Sequence, residues 1–558
     1  MKLTMTDLFG GCALAIALVL TPGSALGQES PVGQQDSAED NPPARVARLS
    51  YLSGGVSFLR AGVDQWSQAA INFPVTTGDR IYTEKDGRAE LQVGDYTIQL
   101  SHQTDLSVTN LNDQVLQLGF EHGTLRLTAY QIPSGQTVEI DTPNGVLTVQ
   151  QPGTYRVDVD PSGERTTAYV NSGSVEVTGG GVSKTLQSGQ AVDLTGYDVI
   201  SLLPVPPPTP DEFDRWCDDR DARISSSPSS RYVSRSVPGF QELDDHGTWE
   251  DAPDYGAVWY PEGIAVGWVP YRFGRWVWVG PWGWTWVEDE PWGFCQFHYG
   301  RWVHIGVRWG WLPGPIVPVP VYAPAIVAFV GGPHFEVTLG GGPVSLTAWF
   351  PLGPREPFFP WYHCREDYIR MVNVTNVRNV TNIVNITNIE NVHYAYRTVA
   401  TTAVPARAFA SGEPVARQVV RLTPQQLEHA QVIPHPGVNP TIRAALPGPA
   451  VRPPPVRPRS VMSAARTAPR PAPVSQRSLG VAQPRTAAPR LLTRTPPPPE
   501  RVPFAVQRPA MILHPGRPLE PQQLQNLRMG RSAGPMLDRE FPPHVAAVPR
   551  VQPTPRRR

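Results

Sequence analysis

Along residues 45–203 apolar and polar side chains alternate with a period of two. Ala89, Leu91 and Val93 are separated by Glu90 and Gln92, and Tyr96, Ile98 and Leu100 follow a Gly94-Asp95 turn. Val138 and Ile140, then Tyr155, Val157 and Val159, then Val175 and Val177 repeat the pattern. This spacing sends one set of side chains to each face of a strand. The runs are punctuated by Asp86-Gly87, Ser134-Gly135, Asn144-Gly145, Ser162-Gly163, Ser172-Gly173 and Ser188-Gly189. Short strands broken this often by turn dipeptides predict an all-β domain. With about 160 residues it can enclose one core. No helix-period segment is present to build a parallel α/β sheet.

A Pro-rich hinge follows at 204–240. Thr209 as N-cap, Pro210 at the first helical position and Glu212 three residues on predict a short helix, with Phe213 and Trp216 to dock it. The Ser-rich stretch 225–236 reads as a linker.

Residues 241–365 change character and repeat themselves. Gly247-Thr248-Trp249, Gly274-Arg275-Trp276 and Gly300-Arg301-Trp302 recur at similar spacing, and 273–286 aligns with 299–313. Trp276 and Trp278, then Trp282, Trp284 and Trp286, then Trp309 and Trp311 sit two apart, hence on one face of a strand. Each unit predicts a β-hairpin carrying a row of indoles, and the units together a twisted antiparallel sheet. Two readings of the rows stand side by side. Large aromatics supply core to small sheets. Alternatively Trp276, Trp278, Trp282, Trp284, Trp286, Trp302, Trp309 and Trp311 form a stacking platform for sugar rings, with Arg275 and Arg301 on the opposite face, and Arg272 and Arg308 nearby, for anion or cation–π contacts.

The next segment has a different period. Across 371–392 apolar residues and Asn each fall every third position. Neither an α-helix nor a strand keeps such a stripe on one face. A three-faced rod buried by self-association is the expectation for this Asn-triplet segment, 366–393. Beyond it, 394–558 lacks sustained periodicity and holds half of all prolines, which predicts a disordered Pro/Arg-rich tail. One island, 423–430, opens with a Thr423-Pro424-Gln425-Gln426 capping box and predicts a short helix.

Composition sharpens this division. Of 558 residues 49 are Gly and 64 are Pro, which argues against a mainly helical chain. The net charge of −1 conceals an Arg-rich tail of about +17 and an acidic remainder. Such a tail binds anionic polymers, and an exported chain meets envelope anions first, so no nucleic acid is expected. Export itself is predicted by Lys2, an apolar run from Leu8 to Leu20 and the small residues around Ala25, a signal peptide over 1–27 followed by a linker over 28–44. No transmembrane helix is expected after cleavage.

The expected chemistry is sparse. Glu288, Asp289 and Glu290 cluster in what reads as a solvated hairpin loop, and His298, His304, His334 and His363 are scattered. Adjacent carboxylates do not flank a substrate as a glycosidase pair must, and no nucleotide, nucleophile or metalloprotease motif occurs. Cys295, His298, His304 and Cys364 match no zinc spacing. No catalytic residue, cofactor or metal is assigned. The mature cysteines Cys217, Cys295 and Cys364 are odd in number, and their spacing leaves the pairing open.

Two stretches resemble known families. PVTTGDRIYTEKDGRAELQVGDYTIQL (74–100), TPNGVLTVQQPGTYRVDVD (142–160) and the strands of 170–192 resemble a FecR-like domain in that domain's own order. The resemblance covers about 45–195 and implies a β-solenoid or curled β-sandwich in the periplasm. Signalling members of that family relay an envelope signal to a cytoplasmic sigma factor through an N-terminal helical domain and a membrane helix, neither of which this chain is expected to carry. GRWVWVGPWGWTWVEDEPWGFCQFHYGRW (274–302) is similar to an uncharacterised Trp-rich family of exported bacterial proteins, as are WFPLGPREPFFPWYHC (349–364) and FDRWCDDRD in the hinge. That pattern more usually has Ala at 295. The resemblance therefore implies a Cys217–Cys364 disulfide clasping the hinge helix to the end of the Trp-rich sheet.

The sequence as a whole reads as a mainly β, non-enzymatic, exported envelope protein, periplasmic or at the outer envelope. It is expected to bind or scaffold, recognising glycan or another anionic surface polymer. One alternative is a FecR-type envelope sensor acting through a protein partner. A second is a carbohydrate-active enzyme.

Overall fold

The structure, a computed structural model, describes residues 41–332, 335–339, 341–374, 392–456, 461–463 and 491–534. The signal-peptide segment and most of the linker after it fall outside these.

Seventeen strands between Ala47 and Val205 realise the alternating pattern. They form two sheets that share one long strand, Val115–Ala129. In the first, Pro74–Val75, Ala47–Ser53, Arg88–Val93, Tyr96–Leu100, residues 123–129, Gly153–Val159, Arg165–Ser172, Ala191–Thr195 and Ser201–Val205 are neighbours in that order, all antiparallel. In the second, Trp66–Gln68, Val56–Leu59, Arg80–Thr83, Asp105–Leu111, residues 115–122, Thr137–Thr142, Gly145–Val149, Ser174–Gly179 and Val182–Gln187 follow one another. Only the pairing of 115–119 with 137–141 is parallel there. The shared strand changes sheets at Gly123, whose φ of 106° suits glycine, and a Cβ there would lie 2.6 Å from the Thr104 Cα. Leu91, Ile98, Leu127 and Val157 from one sheet and Phe58, Leu118, Phe120 and Ile140 from the other are fully buried. The result is a curled sandwich, and all six predicted turn dipeptides lie at its strand junctions.

The hinge helix spans Glu212–Ser226. Its N-cap is Asp211 and not Thr209: the Asp211 carboxylate accepts from the Asp214 backbone, and Asp214 reciprocates. Asp outranks Thr as a cap because its carboxylate also meets the positive end of the helix dipole. The Ser-rich stretch is no free linker. It forms a 3-10 turn, Pro228–Arg231, with Ser229, Val233 and Val237 buried.

The three predicted hairpins are present. Gly247–Ala252 with Gly256–Pro261 and Arg301–Ile305 with Arg308–Leu312 join through Trp259 and Trp311 into a four-stranded sheet. The middle hairpin, Gly274–Val279 with Gly283–Glu288, stays apart as a two-stranded sheet, contrary to the single sheet expected. Its neighbours meet it through indole contacts and a backbone bond from Trp286 N to Pro324 O at 2.9 Å. A further sheet contains Val327–Gly331, Glu336–Leu339 and Gly342–Pro351.

The expected tail divides into segments. Thr402–Pro405 and Gln431–Ile433 complete that further sheet, and backbone bonds of 449–451 cover the edge strand Trp66–Gln68. The predicted helix is present as Pro424–His429, capped reciprocally by Thr423 and Gln426. Leu491–Thr493 and the helices Phe504–Leu513 and Pro521–Arg528 follow. A structureless region therefore does not begin at 394; the Pro/Arg runs of 464–490 and 535–558 lie outside the described residues. So does the Asn-triplet tract from 375 to 391, while its start closes a helix, Glu366–Val374. Among the described residues no helix is long and apolar enough to cross a membrane.

Candidate functional site

The eight indoles proposed as a platform are interior. None exceeds 7% exposure, and Trp284, Trp286 and Trp311 have none. Cross-strand pairing sets Trp276 edge-on to Trp286 at 5.6 Å and Trp278 to Trp284 at 5.4 Å. Trp276 also meets Trp349, Phe329 and Phe409 within 5.4 Å. The Nε1 groups of Trp284, Trp286 and Trp311 donate to Val438 O, Glu288 Oε2 and Tyr299 O, each at 2.9 Å. Rings so enclosed leave no exposed platform for a sugar, so the rows act as core, with Trp278 alone bordering a cavity. Phe409 and Val438, from the supposed tail, supply part of the enclosure, and no periodicity announces that.

The two arginines are likewise structural. The Arg275 Nη2 donates to Pro447 O. Arg301, fully buried, donates to Glu356 O at 3.3 Å, Gly300 O at 2.9 Å and Asn373 Oδ1 at 3.0 Å, and burial lowers its pKa to about 10. Arg272 donates to Thr402. Of the four candidates only Arg308 faces solvent, paired to Glu250 by two bonds of 2.8 Å and lying over the Tyr260 ring.

The clasp is not formed. Cys217 is a free, buried thiol. The hinge helix docks on the curled sandwich and turns Cys217 toward Arg126, Asp214 and Asp221, while Cys364 is buried beside Tyr362 and Tyr368. Cys295 is also a buried free thiol, beside Arg48. Burial pushes both the Cys217 and Cys295 thiols up, away from the reactive thiolate.

What holds the helix is a polar seam that the sequence does not reveal. Glu90, fully buried, takes Arg220 in two bonds of 2.6 and 2.8 Å. Arg156 reaches Asp214 at 2.5 Å and Asp211 at 3.0 Å, and Arg126 reaches Asp218 at 2.5 Å. Asp221 accepts from Thr97, Gln99, Thr128 and Tyr130 within 3.1 Å, and burial raises its pKa. The alternation of FDRWCDDRD marks a helix but not which charges end up inside.

The Glu288-Asp289-Glu290 loop is solvated at Asp289 and Glu290, as expected, but its backbone is gripped and Glu288 is not solvated. Asn72 donates to the carbonyls of Glu288 and Glu290 at 3.1 and 2.7 Å, and Arg48 to Pro291 O at 2.6 Å. Glu288 is buried and its pKa is pushed well up by desolvation, whereas Asp289 and Glu290 are exposed. His298 is buried with its Nδ1 2.8 Å from Ala323 O, and desolvation lowers its pKa to about 3. His304 packs edge-on to Trp309, His363 is half-buried, and His334 lies outside the described residues. The described histidines are not brought together, and among the described residues no three His, Cys, Asp or Glu are placed to hold a metal.

Several apolar side chains face water, among them Val266, Val307, Ile316, Val319 and Leu513. The last hairpin of the first sheet, 191–205, exposes Tyr197 (40%), Val199 (81%) and Leu203 (62%), and among the described residues its final strand pairs on one side only.

A mainly β sandwich followed by a hairpin region with an indole core is the class that these elements define. Residues 79–176 match the FecR protein family, and residues 240–356 match a family of unknown function (DUF6600). The chain thus carries a FecR domain followed by an uncharacterised domain. No curated protein matches the chain. Among solved structures it is similar to two crystal structures of a putative anti-sigma factor from Parabacteroides distasonis ATCC 8503. They are 15% and 16% identical with a TM-score of 0.21, and each alignment covers 23% of this chain and 59% of that one.

Proposed function

We propose that this protein is an exported, non-enzymatic envelope sensor or signalling component that works through a protein partner bound by its FecR region. The observation that carries the reading is the FecR match over 79–176. Support comes from the adjoining hairpin, where Leu203 on the open-edged strand Ser201–Val205 and Tyr197 and Val199 in the turn before it expose apolar surface. An apolar group at a sheet margin is a docking surface for another chain. Pro204 in that strand withholds a donor and blunts indiscriminate edge pairing. The glycan-binding and carbohydrate-enzyme readings lose their carrier with the Trp rows in the core. Binding of an anionic polymer rests on the arginine excess of 401–558 alone.

A photo-crosslinking residue at position 199 or 203, in the native cell, tests the reading. A discrete protein adduct, absent from the exposed control position 183 and lost on Leu203→Glu, is expected. Equal labelling at all three positions would overturn it.

A further inference from the structure

A cavity of about 650 Å3 lies where the FecR region, the middle Trp hairpin and the C-terminal segment meet. Its size suits a small molecule. Three guanidiniums line it: Arg60 from the first sandwich strands, and Arg501 and Arg528 from the C-terminal segment. Their charges are unevenly matched. Arg60, 3% exposed, pairs with Asp79 at 2.5 Å and donates to Pro74 O at 3.0 Å, yet its buried Nε has no hydrogen-bond partner. Arg501 donates to Gly280 O at 3.1 Å. Among the described residues neither Arg501 nor Arg528 forms an ion pair with a carboxylate, and of the carboxylates only the exposed Glu500 shares the lining. Asp79, the partner of Arg60, also attracts Arg501, while Arg528 repels Arg501 and Arg501 repels Arg60, so three guanidiniums share one buried carboxylate and the cluster keeps an excess of positive charge in a partly desolvated space. Burial lowers the pKa of both Arg60 and Arg501 against the opposing pull of Asp79.

The remaining wall is mixed: Asn41, Asn110, Asn112, His363 and Gln507 contribute polar groups, and the rest is largely apolar. Trp278, Phe504, Leu519 and Leu524 line it together with Pro281 and the prolines 497–499. Trp278 is the one indole of the eight that borders this space.

We propose that this cavity binds a small organic anion, with its carboxylate or phosphate head on the Arg60–Arg501–Arg528 cluster and an apolar body against Trp278 and the leucines. Guanidinium forks bind such oxyanions by charge-assisted paired hydrogen bonds. Two of the three arginines arrive with the C-terminal segment, so the ligand and the docking of that segment reinforce each other. The proposal goes beyond the sensor reading and does not depend on it: a failed partner crosslink leaves ligand binding untouched.

Calorimetry on the full chain tests it, with octanoate, octyl phosphate and neutral octanol as probes. At least one of the two anions is expected to bind at least tenfold more tightly than octanol. The double variant Arg501→Gln/Arg528→Gln should lose that preference, and Arg501→Lys should keep it. Should the double variant fail to fold by circular dichroism, the exposed Arg528→Gln alone is expected to weaken anion binding about threefold, corresponding to roughly 0.6 kcal/mol. Octanol binding as tightly as both anions, neither anion binding, or variants binding the anion like the parent chain would each overturn the proposal.

Discussion

Glu90 and Arg220 form a two-pronged ion pair at 2.6 and 2.8 Å, with the carboxylate fully buried on the sandwich and the guanidinium reaching in from the hinge helix. The pair joins segments far apart in sequence and fixes the helix on the sheet. Around it Ser50 and Gln92 also donate to Glu90, so the carboxylate is saturated with donors.

Removing one partner strands the other in a dry setting. Arg220→Ala should destabilise the protein by about 3–5 kcal/mol. The apolar double replacement Glu90→Leu/Arg220→Met should recover much of the loss. Urea denaturation of the three variants checks both statements, and equal loss in single and double variants would contradict the pairing.

The indole cluster carries a second expectation. Trp276→Ala should cost about 3–5 kcal/mol, because it opens a cavity among five aromatic neighbours. Trp249→Ala should cost less, since Trp249 is only half-buried and stacks on Tyr232 at 4.3 Å. Acrylamide should quench the native fluorescence weakly, and denaturation should abolish the protection.

Thiol chemistry separates the buried thiols from a disulfide. Cys217 and Cys295 should resist an aromatic disulfide reagent in the native state and react once the chain is unfolded. Cys217→Ser should leave migration on non-reducing gels unchanged. Faster migration of the parent chain than of Cys217→Ser would revive the clasp.

Acid sensitivity should trace partly to His298. Its pKa falls from 6.5 unfolded to about 3 folded, so between those values the unfolded chain binds more protons. The stability it protects is complete above pH 6.5 and is lost progressively as the pH drops toward 3. Buried Asp141 and Glu288, with raised pKa values, oppose this at the acid end because the folded state keeps their protons. Titrating stability against pH in His298→Gln should show a slope about one proton shallower near pH 5. An unchanged slope would refute the assignment.

Truncation after residue 400 should expose the indoles. It removes Phe409, 4.5 Å from Trp284, and two strands of the further sheet. A red-shifted Trp emission and binding of a hydrophobic dye are expected, with Phe409→Ala showing a smaller shift of the same sign.

The curled sandwich was legible because alternation and turn dipeptides are local signals, as at Ala89–Val93 and Ser172-Gly173. The hairpins were legible for the same reason, since indoles two apart fix a face. Which face is covered depends on remote residues, and here Phe409 and Val438 cover it from a segment whose proline content resembles a disordered tail. The helix cap sits at Asp211 rather than Thr209 because its carboxylate suits the helix dipole and also takes Arg156 of the sandwich, a contact that local spacing does not announce. The Arg60–Arg501–Arg528 cluster left no trace in spacing, for its members come from opposite ends of the chain. The cysteine pairing rested on a resemblance, and three-dimensional direction overruled it.

Because Thr402–Pro405 and Gln431–Ile433 finish the sheet of Val327–Gly331 and Gly342–Pro351, and Phe409 covers the middle Trp hairpin, closure cannot follow the order of synthesis. A ribosome delivers Trp276 and Trp284 long before the residues that cover them. The nascent chain therefore passes through a stage with a sticky aromatic face open, in which a holding chaperone or a pause in delivery decides between folding and aggregation.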